Sequence, residues 1–127
     1  MVGGILEEHG KILLTRRAPG RSMAGLWEFP GGKVMPQESD ADALARELLE
    51  ELALEVQVGA HLQTVLHRYA DFEIELVCYA CVRVRGEPVL IDHDTLVWVT
   101  PAELVQYHLT PADVPVAQTL AQRASSG

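Results

Sequence analysis

The chain has 127 residues, 48% of them hydrophobic, which fits one compact domain spanning residues 1–127 and excludes a disordered chain. Its net charge of −8 argues against a nucleic-acid polymer as partner, because such binding uses basic patches. The sequence has neither an apolar run of the roughly 20 residues that a membrane span needs nor the N-terminal pattern of a signal peptide. We therefore expect a cytoplasmic protein, monomeric or homodimeric, with no membrane partner.

Short strands and turns open the predicted fold. The pattern predicts three strands, at Val2–Glu8, Lys11–Arg17 and Leu26–Phe29. A tight turn at His9-Gly10 joins the first two, and a loop over residues 18–24 precedes the third. Pro30-Gly31-Gly32 is predicted to end the third strand.

The strongest helical pattern runs from about Ser39 to Ala53. Ser39 and, three residues later, Asp42 form the start of a capping box. Small and aliphatic residues recur at helical spacing and are predicted to face the core: Ala41, Leu44, Ala45, Leu48 and Leu52.

The second half of the chain alternates strands with helices. It predicts strands at Glu55–Tyr69, broken near Gly59, and at Phe72–Arg85 and Leu96–Val99. It predicts helices at Pro101–Gln106, capped by Thr100, and at Asp113–Arg123. This order favours an α/β (α+β) fold, with a mixed sheet sandwiched between helices.

Cys78 and Cys81 form a CxxC pattern, but they lie in a segment that predicts a strand. Residues three apart on a strand point to opposite faces, so these thiols can neither share a metal ion nor bridge easily. We expect two inert core thiols.

Three glutamates crowd the predicted helix. Glu47, Glu50 and Glu51 stand at i, i+3 and i+4 and share one side of it, beside the apolar stripe. Each like-charge pairing costs about 0.2–0.5 kcal/mol, and the C-terminal half of a helix prefers cations. Of the three glutamates, only Glu50 is expected to have a counter-ion on the helix, namely Arg46 four residues before it. A solvated charged face and a site for Mg²⁺ or Mn²⁺ both remain open from this geometry.

Residues upstream complete a longer pattern. Gly32, Glu38 and the segment Arg46–Glu51 give G-x5-E-x7-R-E-L-x-E-E. This pattern resembles the Nudix box of the Nudix hydrolase family, G-x5-E-x7-R-E-U-x-E-E-x-G-U with U aliphatic, over residues 32–54. Ala53 departs from it, because the family has glycine there. The segments GKILLTRR, GLWEFPGGKV, LVWVTPAEL and LTPADVPV resemble the MutT-type branch, which includes bacterial CTP pyrophosphohydrolases and 8-oxo-dGTP diphosphatases.

The resemblance implies the Nudix fold and a reaction. Members of this branch hydrolyse nucleoside triphosphates to monophosphate and pyrophosphate with Mg²⁺ or Mn²⁺. The implied metal ligands are the carbonyl of Gly31 and the carboxylates of Glu47, Glu50 and Glu51. Glu38 and Arg46 are implied as supports, the arginine orienting the carboxylates.

The resemblance also implies residues outside the box. Glu47 and Asp92 are candidates for the general base, and we prefer Asp92; Asp94 is a rival, and a solvated loop is the alternative for both aspartates. Arg17 matches an arginine that contacts phosphate, and a solvated strand end is its alternative.

Three residues match positions of the family's base pocket. Phe29 lies where the pocket begins, although core packing is more usual, and Asp71 matches a pocket position within a predicted turn. Asp113 stands where enzymes specific for 8-oxoguanine carry asparagine. An ionised aspartate only accepts hydrogen bonds and suits the cytosine amine, although a helix-terminal acid is the alternative. We therefore expect CTP, dCTP or a 5-substituted cytosine triphosphate as substrate, with 8-oxo-dGTP as the alternative.

Other members of the family fit less well. ADP-ribose hydrolases usually carry a proline after the box, and no proline occurs between Pro36 and Pro88. The upstream pattern of coenzyme A hydrolases is one residue short here. A non-catalytic Nudix-like binding or interaction module typically lacks box glutamates, and this chain has them all.

Overall fold

The structure is a computed structural model that describes residues 1–126, the side chain of Ser126 excepted. Its strands are β1 (Val2–Glu8), β2 (Lys11–Arg17), β3 (Trp27–Glu28), β4 (Gly31–Gly32), β5 (Glu55–Arg68), β6 (Glu73–Arg85) and β7 (His93–Val99). The helices are α1 (Asp40–Leu52) and α2 (Val114–Ser126), with short 3₁₀ helices at Pro101–Gln106 and Pro111–Asp113.

Strand β1 lies at the centre of a mixed sheet. It pairs in parallel with β6 and antiparallel with β2 and β4, while β5 extends the sheet beyond β6. On the other side, β3 and β7 both pair with β2. The pairs Val2↔Gly32 and Gly3↔Gly31 fix the glycine corner beside the start of β1. The predicted mixed sheet is confirmed.

The two faces of the sheet carry separate cores. Neighbouring residues of β1 point in opposite directions, because side chains alternate along a strand. Leu6 packs with α1 in one core and Ile5 packs in the other, which also contains residues of α2. On α1 the fully buried side chains are Ala43, Leu44, Leu48 and Leu52. The sheet therefore lies between helices, as expected.

Several predicted boundaries need correction. Pro30-Gly31-Gly32 does not simply end a strand, because Gly31 and Gly32 pair with β1. Strand β7 begins at His93, three residues earlier than expected, since its pairing with β2 continues to Arg17. Pro101–Gln106 is a 3₁₀ helix, and α2 begins one residue after Asp113. Ala41 is exposed in the first turn of α1, and Ala43 is buried.

Cys78 and Cys81 behave as predicted from their spacing. Both are free and buried on β6, and they belong to the two different cores. Burial raises the pKa of each thiol to about 12, so neither forms a thiolate readily near neutral pH.

Helix α1 is capped at both ends. The Ser39 hydroxyl accepts a hydrogen bond from the N–H of Asp42 at 3.1 Å. Ala53 adopts the left-handed conformation, φ 57° and ψ 29°, and its N–H faces the carbonyls of Leu48 and Leu49. The family's glycine at this position is therefore matched in conformation but not in residue type.

Replacing Ala53 by glycine should stabilise the protein by about 0.5–1 kcal/mol. The left-handed conformation strains alanine, and relief of this strain outweighs the extra conformational entropy that glycine loses on folding. Urea denaturation measures the change. The control is Ala45→Gly within α1, which should destabilise by about 1 kcal/mol. A destabilised Ala53→Gly protein would contradict this account of the cap.

Candidate metal and catalytic site

The site begins where the glycine corner touches α1. A Cβ on Gly32 would lie 2.4 Å from the carboxyl carbon of Glu47, and one on Gly31 would lie 2.0 Å from the carbonyl oxygen of Val2. A side chain at Gly31 would clash with the backbone of β1, and one at Gly32 would displace the carboxylate of Glu47. The two glycines thus let backbone and carboxylates meet.

Arg46 organises the acidic face of α1. Its guanidinium grips both oxygens of Glu38, at 2.8 and 3.0 Å, and contacts Glu47 at 3.1 Å and Glu50 at 3.2 Å. It also donates to the carbonyl of Lys33 at 3.0 Å. Arg46, together with the N–H of Met35, lowers the pKa of Glu38 to about 2. The expectation that Glu50 is the only helical glutamate with a counter-ion is wrong, because the guanidinium of Arg46 also contacts Glu47, as well as Glu38 before the helix.

Glu51 lies deeper than the other two glutamates of the helix. Burial, together with the charges of Glu47, Glu28 and Asp92, raises its pKa to about 8. Its Oε2 is buried and has no hydrogen-bond partner. A carboxylate in this position requires either a proton or a cation.

The side chains are not gathered into a closed ligand shell. Within residues 1–126, no group of three acidic, histidine or cysteine side chains is placed to hold an ion. Glu47 and Glu50 contact Arg46, and the side chain of Glu50 is 60% exposed. The set of carboxylates around an unpartnered Glu51 oxygen nevertheless fits a hard divalent cation, which prefers oxygen ligands.

A small cleft adjoins Glu51. Its volume is about 30 Å³, and it is lined by Arg17, Ala18, Arg21, Glu28, Glu51, Asp92 and His93. It brings together the predicted general base, the predicted phosphate ligand and one predicted metal ligand. Asp92 pairs there with Arg21 at 3.2 Å, whereas the rival Asp94 pairs with Arg16 at 2.8 Å and is not part of this lining.

Arg17 is not a solvated strand end. Its guanidinium donates to the carbonyl and hydroxyl of Ser22, at 2.6 and 3.2 Å, and to Glu28 at 3.0 Å. Sequence reasoning missed Glu28 and His93, whose side chains contact each other at 2.9 Å. For Glu28 a signal was present, because it alternates with Trp27 and Phe29 and must face away from them.

The three base-pocket candidates lie in different environments. Phe29 is 4% exposed and packs in the core that contains α2, and Asp71 lies in the exposed bend between β5 and β6. Asp113 is 5% exposed, accepts a hydrogen bond from the Thr110 hydroxyl at 2.7 Å, and contacts the backbone of Phe29. Burial raises its pKa to about 7, so the assumption of a fully ionised aspartate needs correction.

Comparison with known proteins assigns the chain to a family. Residues 1–119 match the family model of the NUDIX domain.

The chain belongs to this family.

Named relatives of this Nudix chain include two enzymes of Escherichia coli. It is 41% identical to a CTP pyrophosphohydrolase, over 98% of the chain and 93% of that protein. It is 33% identical to an 8-oxo-dGTP diphosphatase, over 94% and 92% of the two. Both names describe hydrolases of nucleotide phosphates, and Nudix hydrolases generally use divalent metal ions.

Solved structures agree with the fold. The solution structure of the E. coli ORF135 protein is 40% identical, with a TM-score of 0.80, and covers 98% of this chain and 89% of that one. The MutT protein of Staphylococcus aureus is 34% identical, with a TM-score of 0.76, over 96% and 94%. The predicted Nudix fold is confirmed. Neither α1 nor any other helix within residues 1–126 is long and apolar enough to cross a membrane.

The raised pKa of Glu51 should make the stability of the metal-free protein depend on pH. The protonated carboxyl of Glu51 contributes its full stabilisation below about pH 4.5. As the pH rises to about 8, this contribution to the free energy of unfolding is lost, at up to roughly 1 kcal/mol per pH unit. Urea unfolding between pH 5 and 8 should show this fall. Glu51→Gln should flatten the curve and stabilise the protein at pH 8.

Glu55→Gln is the matched control, because Glu55 is exposed just beyond α1. Its stability curve should follow that of the wild type. A Glu51→Gln curve that also followed the wild type would contradict the placement of Glu51.

Proposed function

We propose that the chain is a nucleoside triphosphate pyrophosphohydrolase that depends on Mg²⁺ or Mn²⁺ and favours cytosine nucleotides. It converts a nucleoside triphosphate and water to the monophosphate and pyrophosphate. Glu51 carries the proposal, because its buried, unpartnered oxygen lies among other carboxylates, where a bound cation can replace the proton and bridge the acidic protein to an anionic substrate. The 41% identity with a CTP pyrophosphohydrolase supports the choice of reaction.

The metal ligands we propose are the carbonyl of Gly31 and the carboxylates of Glu47, Glu50 and Glu51. A bound ion supplies polarisation of the phosphoryl oxygens and a lowered pKa for the attacking water. Arg46 and Glu38 act as supports, because the doubly hydrogen-bonded pair keeps the arginine fixed beside the helix.

The cleft residues complete the reaction. Asp92 accepts the proton of the attacking water, since it lines the cleft beside Glu51. Arg17 binds phosphate oxygens with a guanidinium that Glu28 and Ser22 already hold in place. Orienting these groups before the substrate arrives lowers the entropy lost on reaching the transition state.

Asp113 is the residue we propose to select the base, with Phe29 behind it as the wall of the pocket. In its ionised form Asp113 accepts a hydrogen bond from the exocyclic amine of cytosine. Asp71 stays a prediction as a pocket residue. The cytoplasmic location and the monomeric or homodimeric state also stay predictions.

The pKa of Asp113 favours a second candidate substrate. With a pKa of about 7 the carboxyl is partly protonated near neutral pH, and a protonated carboxyl can donate to the O6 of a guanine base. Hydrolysis of 8-oxo-dGTP is therefore the alternative activity, in keeping with the name of the second E. coli relative. A non-catalytic module is disfavoured by the intact network of box carboxylates around Arg46.

Initial rates of pyrophosphate release across CTP, dCTP, 5-methyl-dCTP, 8-oxo-dGTP and the common triphosphates test the substrate. With Mg²⁺ we expect the cytosine nucleotides to lead. Glu51→Gln should lose activity roughly 100-fold or more, because it removes a metal ligand, and Glu55→Gln should not. Activity at the wild-type level in Glu51→Gln would refute the site, and a clear lead for 8-oxo-dGTP would refute the base preference.

Asp113→Asn directly tests whether Asp113 selects the base of the substrate. Asparagine both donates and accepts, so the ratio of the 8-oxo-dGTP rate to the CTP rate should rise roughly tenfold. Both substrates are measured on one preparation, so any loss of folded protein cancels in the ratio. An unchanged ratio would mean that Asp113 does not select the base.

A further inference from the structure

His93 is a buried histidine next to the proposed general base. It begins β7, directly after Asp92, and its side chain is 4% exposed. Its Nε2 lies 2.9 Å from one oxygen of Glu28, and the other oxygen of Glu28 accepts a hydrogen bond from Arg17 at 3.0 Å. Because an ionised carboxylate only accepts, Nε2 carries the hydrogen of this bond.

The pairing of β2 with β7 places these residues together. Arg16 pairs with Thr95, but Arg17 pairs with His93, so Asp94 is an extra residue on β7. Such a bulge changes the direction of side chains on the bulged strand. Asp94 contacts Arg16, while His93 reaches Glu28 and Asp92 reaches the cleft.

We propose that His93 is a positioning residue for the hydrolysis: through Glu28 it ties the end of the loop that carries Asp92 to the strand that carries Arg17. This role rests on the proposed function. The tether keeps the proton acceptor and the phosphate ligand in place at the cleft that Glu51 also lines, and each partner binds a different oxygen of Glu28.

The second ring nitrogen supports a role beyond packing. Three buried side-chain atoms within the described residues lack a partner, and two of them, Glu51 Oε2 and His93 Nδ1, belong to residues that line the same cleft. A cleft of about 30 Å³ has room for an ordered water, which needs roughly 10–15 Å³. With the hydrogen on Nε2, Nδ1 is left as an acceptor that has no partner among the described residues.

Two substitutions distinguish the role of Nε2 of His93 from that of Nδ1. In His93→Gln the amide nitrogen can replace Nε2 and keep the bond to Glu28. In His93→Asn the shorter amide replaces only Nδ1, so the tether to Glu28 is lost. His9→Asn is the matched control, because His9 is exposed in the β1–β2 turn at a φ of 53°, which asparagine tolerates.

We expect His93→Asn to lower kcat by about 10-fold to 100-fold, because a small displacement of reacting groups costs that much. His93→Gln should retain kcat within about threefold, and His9→Asn should match the wild type. KM should change less than kcat in His93→Asn, since Arg17 keeps its contacts with Ser22. The ¹⁵N resonances of the metal-free wild type should show a hydrogen on Nε2 of His93 and none on Nδ1.

The following outcomes would contradict the proposed role of His93. Equal activity of His93→Asn and His93→Gln, whether both are at the wild-type level or both reduced in proportion to a lower melting temperature, refutes the tether. A hydrogen on Nδ1 alone refutes the bond to Glu28. A wild type inactive on every nucleotide refutes the proposed function and this role with it, whereas an active wild type with equal variants refutes the role alone.

Discussion

The site depends on how one arginine distributes its hydrogen bonds: it contacts three glutamates and leaves a fourth, Glu51, without a bond to it. Arg46 holds Glu38, Glu47 and Glu50 at 2.8–3.2 Å, which makes the like charges on one side of α1 tolerable. Glu51 receives no such contact from Arg46 in the network of bonds that the described residues form. Its buried carboxyl group therefore has no counter-ion within residues 1–126 and a pKa raised to about 8, and on this we base the proposed cation site.

The sheet brings a second, cationic half of the site to this carboxylate. Pairing of β4 with β1 places the glycine corner against α1, and the bulged pairing of β7 with β2 directs Arg17 and the segment around Asp92 toward the same cleft. Glu28 lies between the halves and contacts both Arg17 and His93. In the function that we propose, Glu51 on α1 and Arg17 at the end of β2 act on one substrate, because both line the same cleft.

Local features of the fold were predictable from the sequence, and the contacts between elements were not. The limits of α1 follow from Ser39 and from the spacing of Leu44, Leu48 and Leu52, which are local signals. The position of His93 depends on a bulge in the pairing of β2 with β7, strands some 80 residues apart, which no local pattern reports. The partial protonation of Asp113 depends on burial under distant segments. The resemblance to the Nudix box implied that Arg46 orients the carboxylates, and the structure shows it in contact with Glu38, Glu47 and Glu50.

Proton release on metal binding is the most direct test of the claim that Glu51 holds a place for a cation. Isothermal titration of the nucleotide-free protein with Mn²⁺ at pH 7, in two buffers of different ionisation enthalpy, counts the protons released. With a pKa of about 8, Glu51 is mostly protonated at pH 7, so binding should release close to one proton per site, and the number should fall toward zero above pH 9. Absence of metal uptake, or uptake that releases no proton at pH 7, would contradict the account.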